Sequence, residues 1–198
     1  MSAWRWACFV WAIAACWVIA ACRTSPPVQF FTLTAVVPDH ASGAEGLVPI
    51  QVAAIHVPPS LDRQEMVSES TATQLTVSDQ HRWGAPFGDI LRRVLTQDLA
   101  DRLPPGAVLY ADEPAPAHVH EVVVDILRFV AEPGGQVVFD GSWSIVSATG
   151  DTVVASRHLR LRQPAPPGDY RQQTLAMSRL VGMLADTVAR AVVSAANP

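Results

Sequence analysis

The run VHEVVVDILRFVAEPGGQVVFDGSWSIVSATGDTVVASRHLRLR, residues 119–162, holds three strands and two tight turns. Residues 136–147 alternate, with Val137, Phe139, Trp143 and Ile145 on one side and Asp140, Ser142 and Ser144 on the other. Side chains of a strand repeat with a period of two, so this spacing belongs to a strand with one buried face. Residues 119–131 are apolar on both faces in the middle of the run, which suits a strand inside a sheet. Residues 152–162 send Val153, Ala155, Leu159 and Leu161 inward and His158, Arg160 and Arg162 outward. The joints EPGG (132–135) and ATGD (148–151) are short and built from turn residues, so the three strands form an antiparallel meander.

The flanking sequence supplies what covers that sheet. Over 86–103, Phe87, Ile90, Leu91, Val94, Leu95, Leu99 and Leu103 recur at helical spacing and make one apolar stripe. Pro86 suits the first turn, Asp89 complements the positive end, and Asp98 can pair with Arg102 at i,i+4. Pro104-Pro105-Gly106 stops the helix. After the meander, Asp169 caps a second helix, Gln172 completes a capping box, and Met177, Leu180, Val181, Leu184, Val188 and Val192 form the buried face. Upstream, 29–35 and 47–57 read as strands. In the second, Val48, Ile50, Val52 and Ala54 face one way and Leu47, Ala53, Ile55 and Val57 the other, as in a central strand. Residues 65–69 and 74–78 read as a small hairpin at an edge, and 108–110 as a short strand. Residues 38–46, 112–117 and 163–168 are loops. The fold class is α/β: a mixed, largely antiparallel sheet packed with two long helices, in a single domain over 29–198. The helices can lie on one face or on both.

The N-terminus reads as a leader. Arg5 precedes an apolar stretch ending Ile19-Ala20-Ala21-Cys22, after which the chain turns polar. A membrane-crossing helix needs about 20 apolar residues; this stretch is shorter and ends in small residues, as a cleaved signal does. The order resembles a bacterial lipobox, with residues 1–21 removed and lipid attached to Cys22. An uncleaved anchor helix is the alternative. Ile13-Ala14-Ala15-Cys16 is a rival lipobox, but cleavage there would leave Trp17-Val18-Ile19 on the mature chain. The other two cysteines, Cys8 and Cys16, fall in the leader, so the mature domain has no disulfide and no thiolate chemistry. Residues 22–28 are the lipidated cysteine and a tether whose extended reach is about 20 Å. Arg23 stands where an aspartate would signal inner-membrane retention, which points to the periplasmic face of the outer membrane.

Charge and motif content exclude several function classes. With Arg5 gone, 13 basic residues remain of 14, against 18 acidic ones. A chain with that balance is not a nucleic-acid binder and has no polybasic patch for anionic lipid. No nucleophile elbow, phosphate loop, dinucleotide fingerprint or metalloprotease motif occurs. His118 and His120 share a strand face, but Glu121 points the other way, so solvated histidines are expected and no metal site. Asp125 and Arg128, three apart, are expected on opposite faces, at an edge or a partner surface. Ser142 and Ser144 have no base placed beside them. Trp83, in Arg82-Trp83-Gly84-Ala85-Pro86-Phe87, either staples the first turn of the helix or faces a ligand or partner.

Four features together resemble a known family, the ABC-type transport auxiliary lipoproteins of the PqiC-like, MCE-associated group. They are the lipobox followed by Phe30-Phe31-Thr32-Leu33; the segment Pro58-Pro59-Ser60-Leu61-Asp62-Arg63-Gln64-Glu65-Met66-Val67; Arg82-Trp83 with Pro86-Phe87; and the late strands with the C-terminal helix. Gln64 departs from the pattern, where many members have proline. The resemblance implies a sandwich similar to the anticodon-binding or TolB N-terminal type. It also implies a non-enzymatic periplasmic subunit beside an MCE-domain protein and an inner-membrane permease and ATPase, with no cofactor and no catalytic residues. Leu61, Asp62, Arg63, Arg82, Trp83 and Pro86 are then candidate partner or structural residues, and a homo-oligomer matching an MCE ring is left open. The rival reading is a lipoprotein that itself binds a small apolar ligand or lipid in a pocket between sheet and helix.

Overall fold

The computed structural model describes residues 27–38, 46–110, 118–147, 149 and 152–196; the leader, Cys22 and most of the tether lie outside the described residues. The elements in order are β1 (Gln29–Phe31), β2 (Ile50–His56), β3 (Glu65–Thr71), β4 (Gln74–Trp83), α1 (Phe87–Ala100), β5 (Val108–Leu109), β6 (His120–Glu132), β7 (Gln136–Val146), β8 (Val153–Pro164) and α2 (Tyr170–Ala196). They make one eight-stranded sheet organised by β6. One edge of β6 carries β7 along nearly its whole length. The other edge takes β2 in parallel over 120–125 and β3 in parallel at Ala131. Beyond β2 lies β5; beyond β3 lie β4 and then β1. The meander β6–β7–β8 forms as its alternation and turns require.

Both helices cover the same face. Phe87 of α1 tilts onto Phe129 of β6, and Trp143 Nε1 of β7 donates to Thr187 Oγ1 of α2 at 3.0 Å. Phe129 lies opposite Phe139, and Val124 opposite Trp143, on one side of the sheet. Among the described residues the opposite side of the meander carries no helix, so these elements form a two-layer sandwich. Its interior is filled by side chains that are almost wholly buried, among them Phe87, Phe129, Phe139, Leu95, Leu99, Leu180 and Val188. The predicted faces of both helices are buried as their spacing requires. The Asp169 carboxylate accepts from the Gln172 N–H at 3.0 Å, so α2 begins where its cap residue stands. The first helix ends at Ala100 rather than 103, and Leu103 packs into the core from the turn that follows.

Bulges correct several faces expected from strict alternation, because one extra residue reverses the side on which every later side chain lies. The register of β2 slips between Val52 and Ala54, so the buried stripe runs Ile50, Val52, then Ile55 and Val57, and Ala53 is exposed. A slip between Ile126 and Arg128 puts Asp125 opposite Ser142 and Arg128 opposite Asp140; the two share the open face instead of lying on opposite ones. A third slip pairs Val146 with Val153, which leaves Val153 60% exposed instead of inward. The first strand also stops early, at Phe31. Beyond it the backbone is held by the helices: the Thr34 N–H donates to Ser178 Oγ at 3.2 Å and the Val36 N–H to Asp98 Oδ1 at 2.8 Å. The hairpin β3–β4 forms, but β1 pairs with the last residues of β4, so only the stretch 74–80 of β4 is an open edge.

Candidate functional site

The two sequence motifs upstream of α1 meet at its N-terminus. Leu61 is buried, and its N–H and that of Asp62 both donate to the Pro58 carbonyl, at 2.8 and 3.0 Å. This turn aims the Asp62 carboxylate at α1, where Oδ1 accepts from the Gly88 N–H at 3.2 Å. Pro86, at the cap position, has no side-chain donor or acceptor, and Asp62 supplies the missing acceptor from outside the helix. Trp83 is buried and stacks on Phe87 with 4.8 Å between centroids, while its N–H donates to the Gln64 carbonyl. The stack continues through Phe129 to an edge-on contact with Phe139. Trp83 is therefore packed on the helix start and buried from solvent. Arg63 bonds Glu65 at 2.9 Å and, with Arg82 nearby, holds that carboxyl below its ordinary range. Arg82 is half-buried opposite Glu65 and Phe30. Asp62, Pro86, Gly88, Asp89 and Arg92 border an open recess of about 350 Å³ at this place.

A second cluster, which strand and helix patterns did not single out as important, lies at the other end of α1. Arg102 is 3% exposed. Its guanidinium donates to the carbonyls of Val36 and Asp98 at 3.1 and 2.9 Å, to Asp98 Oδ1 at 3.1 Å and to Asp186 Oδ1 at 2.5 Å. One side chain thus ties the segment after β1, the end of α1 and the middle of α2. Burial pushes the Asp98 carboxyl up to about 6, against the pull of the Val36 N–H and Arg102. The expected i,i+4 pair is present, but as a buried clamp and not a surface pair. The signal was available: Asp98 stands four residues after Val94 and Arg102 four after that, inside the apolar stripe.

The open face of the meander carries ion pairs that satisfy one another. Arg160 binds the Asp140 carboxylate through Nε at 2.7 Å and through Nη2, which keeps that carboxyl below its ordinary range, and His158 Nε2 lies 2.9 Å from its other oxygen. Arg128 pairs with Glu69 of β3, which raises the already high guanidinium value, and with Glu132 at 2.8 Å. His56 meets Asp125 at 2.7 Å. None of these pairs has a nucleophile and a base converging on one point. His118 is exposed and His120 half-buried; no group of three metal-ligating side chains occurs among the described residues. His120 instead borders a recess of about 280 Å³ with Val48, Ile145, Val154 and the last turn of α2. No helix among the described residues is long and apolar enough to cross a membrane.

Known proteins share this sequence pattern and this sandwich. A family model described as "ABC-type transport auxiliary lipoprotein component" matches residues 31–189. No curated protein matches the chain. Two crystal structures share its fold. One, of an uncharacterized protein, superposes with a TM-score of 0.68 at 18% identity over 83% of this chain and 98% of the other. The second, protein XCC0632 from Xanthomonas campestris, gives 0.64 at 15% identity over 84% and 96%.

Proposed function

Because the chain belongs to the ABC-type transport auxiliary lipoprotein component family, we propose that it serves a lipid transporter as the subunit held at the outer membrane. Membership makes it a periplasmic, lipid-anchored, non-catalytic subunit of an ABC-type transport system. In the finer reading, acyl chains on Cys22 fix the domain under the outer membrane, where it docks the far end of an MCE-domain assembly driven by an inner-membrane permease and ATPase. The observation that carries it is the family match, which runs from β1 through most of α2. Tethering raises the local concentration of the domain at its partner, so a modest interface suffices. A carrier that holds a small apolar ligand between sheet and helices has less support, because that interior is occupied by Phe87, Leu95, Phe129, Phe139 and Leu180.

The test is recovery of the acylated protein from native membranes in mild detergent, followed by mass spectrometry of what accompanies it. An MCE-domain protein with a permease and an ATPase is the expected company. Recovery of the lipoprotein without any of them refutes the reading.

A further inference from the structure

The strand directions gather several connections at one end of the sandwich. β3, β6 and β8 run the same way, so the β3–β4 turn, the β6–β7 turn and the β8–α2 loop emerge at one end. β1 is parallel to β4, so the chain enters β1 from that same end, and the Ala165 N–H bonding the Gly135 carbonyl ties two of these loops together. The hairpin turn with its flanks, 70–78, and the turn 133–136 carry no charged residue, while Glu132, Asp169 and Arg171 stand at the same end.

This end exposes apolar side chains at one corner of the sheet. Phe30 is 67% exposed while Phe31 packs against the core, so Phe30 and Val28 project from the open face. Leu75 and Val77 lie opposite Glu69 and Val67, on the face where Glu69 reaches Arg128, and both are exposed. The registers place Leu75 and Phe30 about four residues apart along the strand direction, or about 13 Å. Exposed apolar residues gathered at one place mark an interaction surface, and the uncharged hairpin tip, 70–78, can leave water without stripping a charge.

We propose that this corner, formed by β1 and the β3–β4 hairpin, seats on the phospholipid surface that receives the acyl chains of Cys22. The occupant follows from the length of chain outside the structure. Five residues, 23–27, separate Cys22 from Val28, and their extended reach is under about 20 Å. A lipid-anchored Cys22 therefore keeps Val28 within that distance of the bilayer, and Phe30, two residues on, within about 27 Å. This inference rests on the acylation of Cys22 in the reading above and adds the surface and the orientation.

The test uses the acylated full-length mature protein in vesicles of phosphatidylethanolamine and phosphatidylglycerol. With Cys22 blocked, an introduced cysteine is the mature chain's one free thiol. Thr73→Cys at the hairpin tip and Ser194→Cys at the far end of α2, both exposed sites, carry an environment-sensitive fluorophore, and some lipids carry a nitroxide quencher. Quenching at least three-fold stronger at position 73 than at 194 is expected, falling to the level of 194 when Phe30, Leu75 and Val77 become serine. Phe30→Ser alone, at an edge strand, is expected to give a partial loss and guards against misfolding of the triple variant. Equal quenching at both positions, or quenching that ignores the substitutions, overturns the seating. So does a response at 73 that appears only when transporter proteins are added, which would assign the corner to a protein. If the lipoprotein still recovers those proteins from membranes while position 73 stays in water, the transport reading survives and the seating fails.

Discussion

Replacing Arg102 by methionine keeps the aliphatic stem and removes the guanidinium that closes the clamp. The cost follows from what is left behind. Asp98 is fully buried, and its carboxyl stands at about 6 instead of 3.8; at about 1.4 kcal/mol per pK unit, burial already costs the fold about 3 kcal/mol at pH 7. Without Arg102 the carboxyl escapes by taking up a proton, which at pH 7 costs about 4 kcal/mol from the ordinary value, so the added ionisation cost is capped at about 1 kcal/mol. The bonds to the carbonyls of Val36 and Asp98 and to Asp186 are lost as well, at about 1 kcal/mol each. The sum is about 4 kcal/mol, within the range for breaking a buried ion pair. In a domain of this size that lowers the melting midpoint by roughly 10 °C.

The assay for this variant is urea unfolding, followed through Trp83 and Trp143, which are both buried. The pH dependence carries the sharper sign. A carboxyl raised by folding stabilises the protein below its unfolded value and loses that contribution as pH rises through its folded value. R102M should therefore lose stability steeply from pH 5 to 7, where the unaltered protein, with Asp98 at about 6, has a shallower fall. D98N/R102M should remove the slope and regain at least about 1 kcal/mol at pH 7. A loss below about 1 kcal/mol in R102M, or a slope unchanged by D98N, refutes the account.

Three further outcomes are expected. Asp62→Ala removes the acceptor for the Gly88 N–H and should cost about 1 kcal/mol in denaturant unfolding, with Asp62→Asn close to the unaltered protein; equal losses would show that the capping bond is not what matters. Gly141→Ala places a Cβ 2.5 Å from the Asp125 carbonyl and 3.2 Å from Ile126 Cα; since backbone cannot yield, a loss of about 1–3 kcal/mol is expected, and a stable variant by calorimetry would mean the β6–β7 pairing is looser than drawn. Cys22→Ala should leave an unprocessed chain with its leader and no acyl mass on intact-protein mass spectrometry, whereas Cys16→Ala should be processed normally; the reverse pattern moves the anchor to Cys16.

Periodicity made the helices and the meander legible because each buries one continuous face, and spacing is all that such a face requires. The stripe from Phe87 to Leu99 and the cap at Asp169 are where the sequence places them. Bulges were not legible. Nothing in Val52-Ala53-Ala54 or Ile126-Leu127-Arg128 breaks the pattern of a strand, yet each slip reverses the faces beyond it. The slip in β6 brought Asp125 and Arg128 to the same face. The early end of the first strand has a related cause: Thr34 and Val36 find hydrogen-bond acceptors on Ser178 and Asp98, partners more than sixty residues away that local pattern cannot show. Of the motif residues, Leu61 and Asp62 are marked by resemblance alone, and only the geometry shows that they support a helix start; Trp83 stands just before Pro86, where its place already offers the staple that the stack on Phe87 forms.

The distribution of charge bears on the long edge strand of the sheet. β8 pairs with β7 alone, and an open strand of that length invites another strand to add to it. Arg157, His158, Arg160 and Arg162 line it, and all four are exposed. Arg160 and His158 are spent on Asp140, whereas Arg157 and Arg162 have no ion-pair partner among the described residues. A like strand docking there in either direction would bring their charges close to its own, and like charges placed opposite one another destabilise a pairing. Arg157→Thr with Arg162→Thr removes that protection without touching the core. The doubly substituted, non-acylated domain should self-associate in sedimentation at concentrations where the unaltered domain sediments unchanged, and identical sedimentation of the two would show that the edge is protected by something other than its arginines.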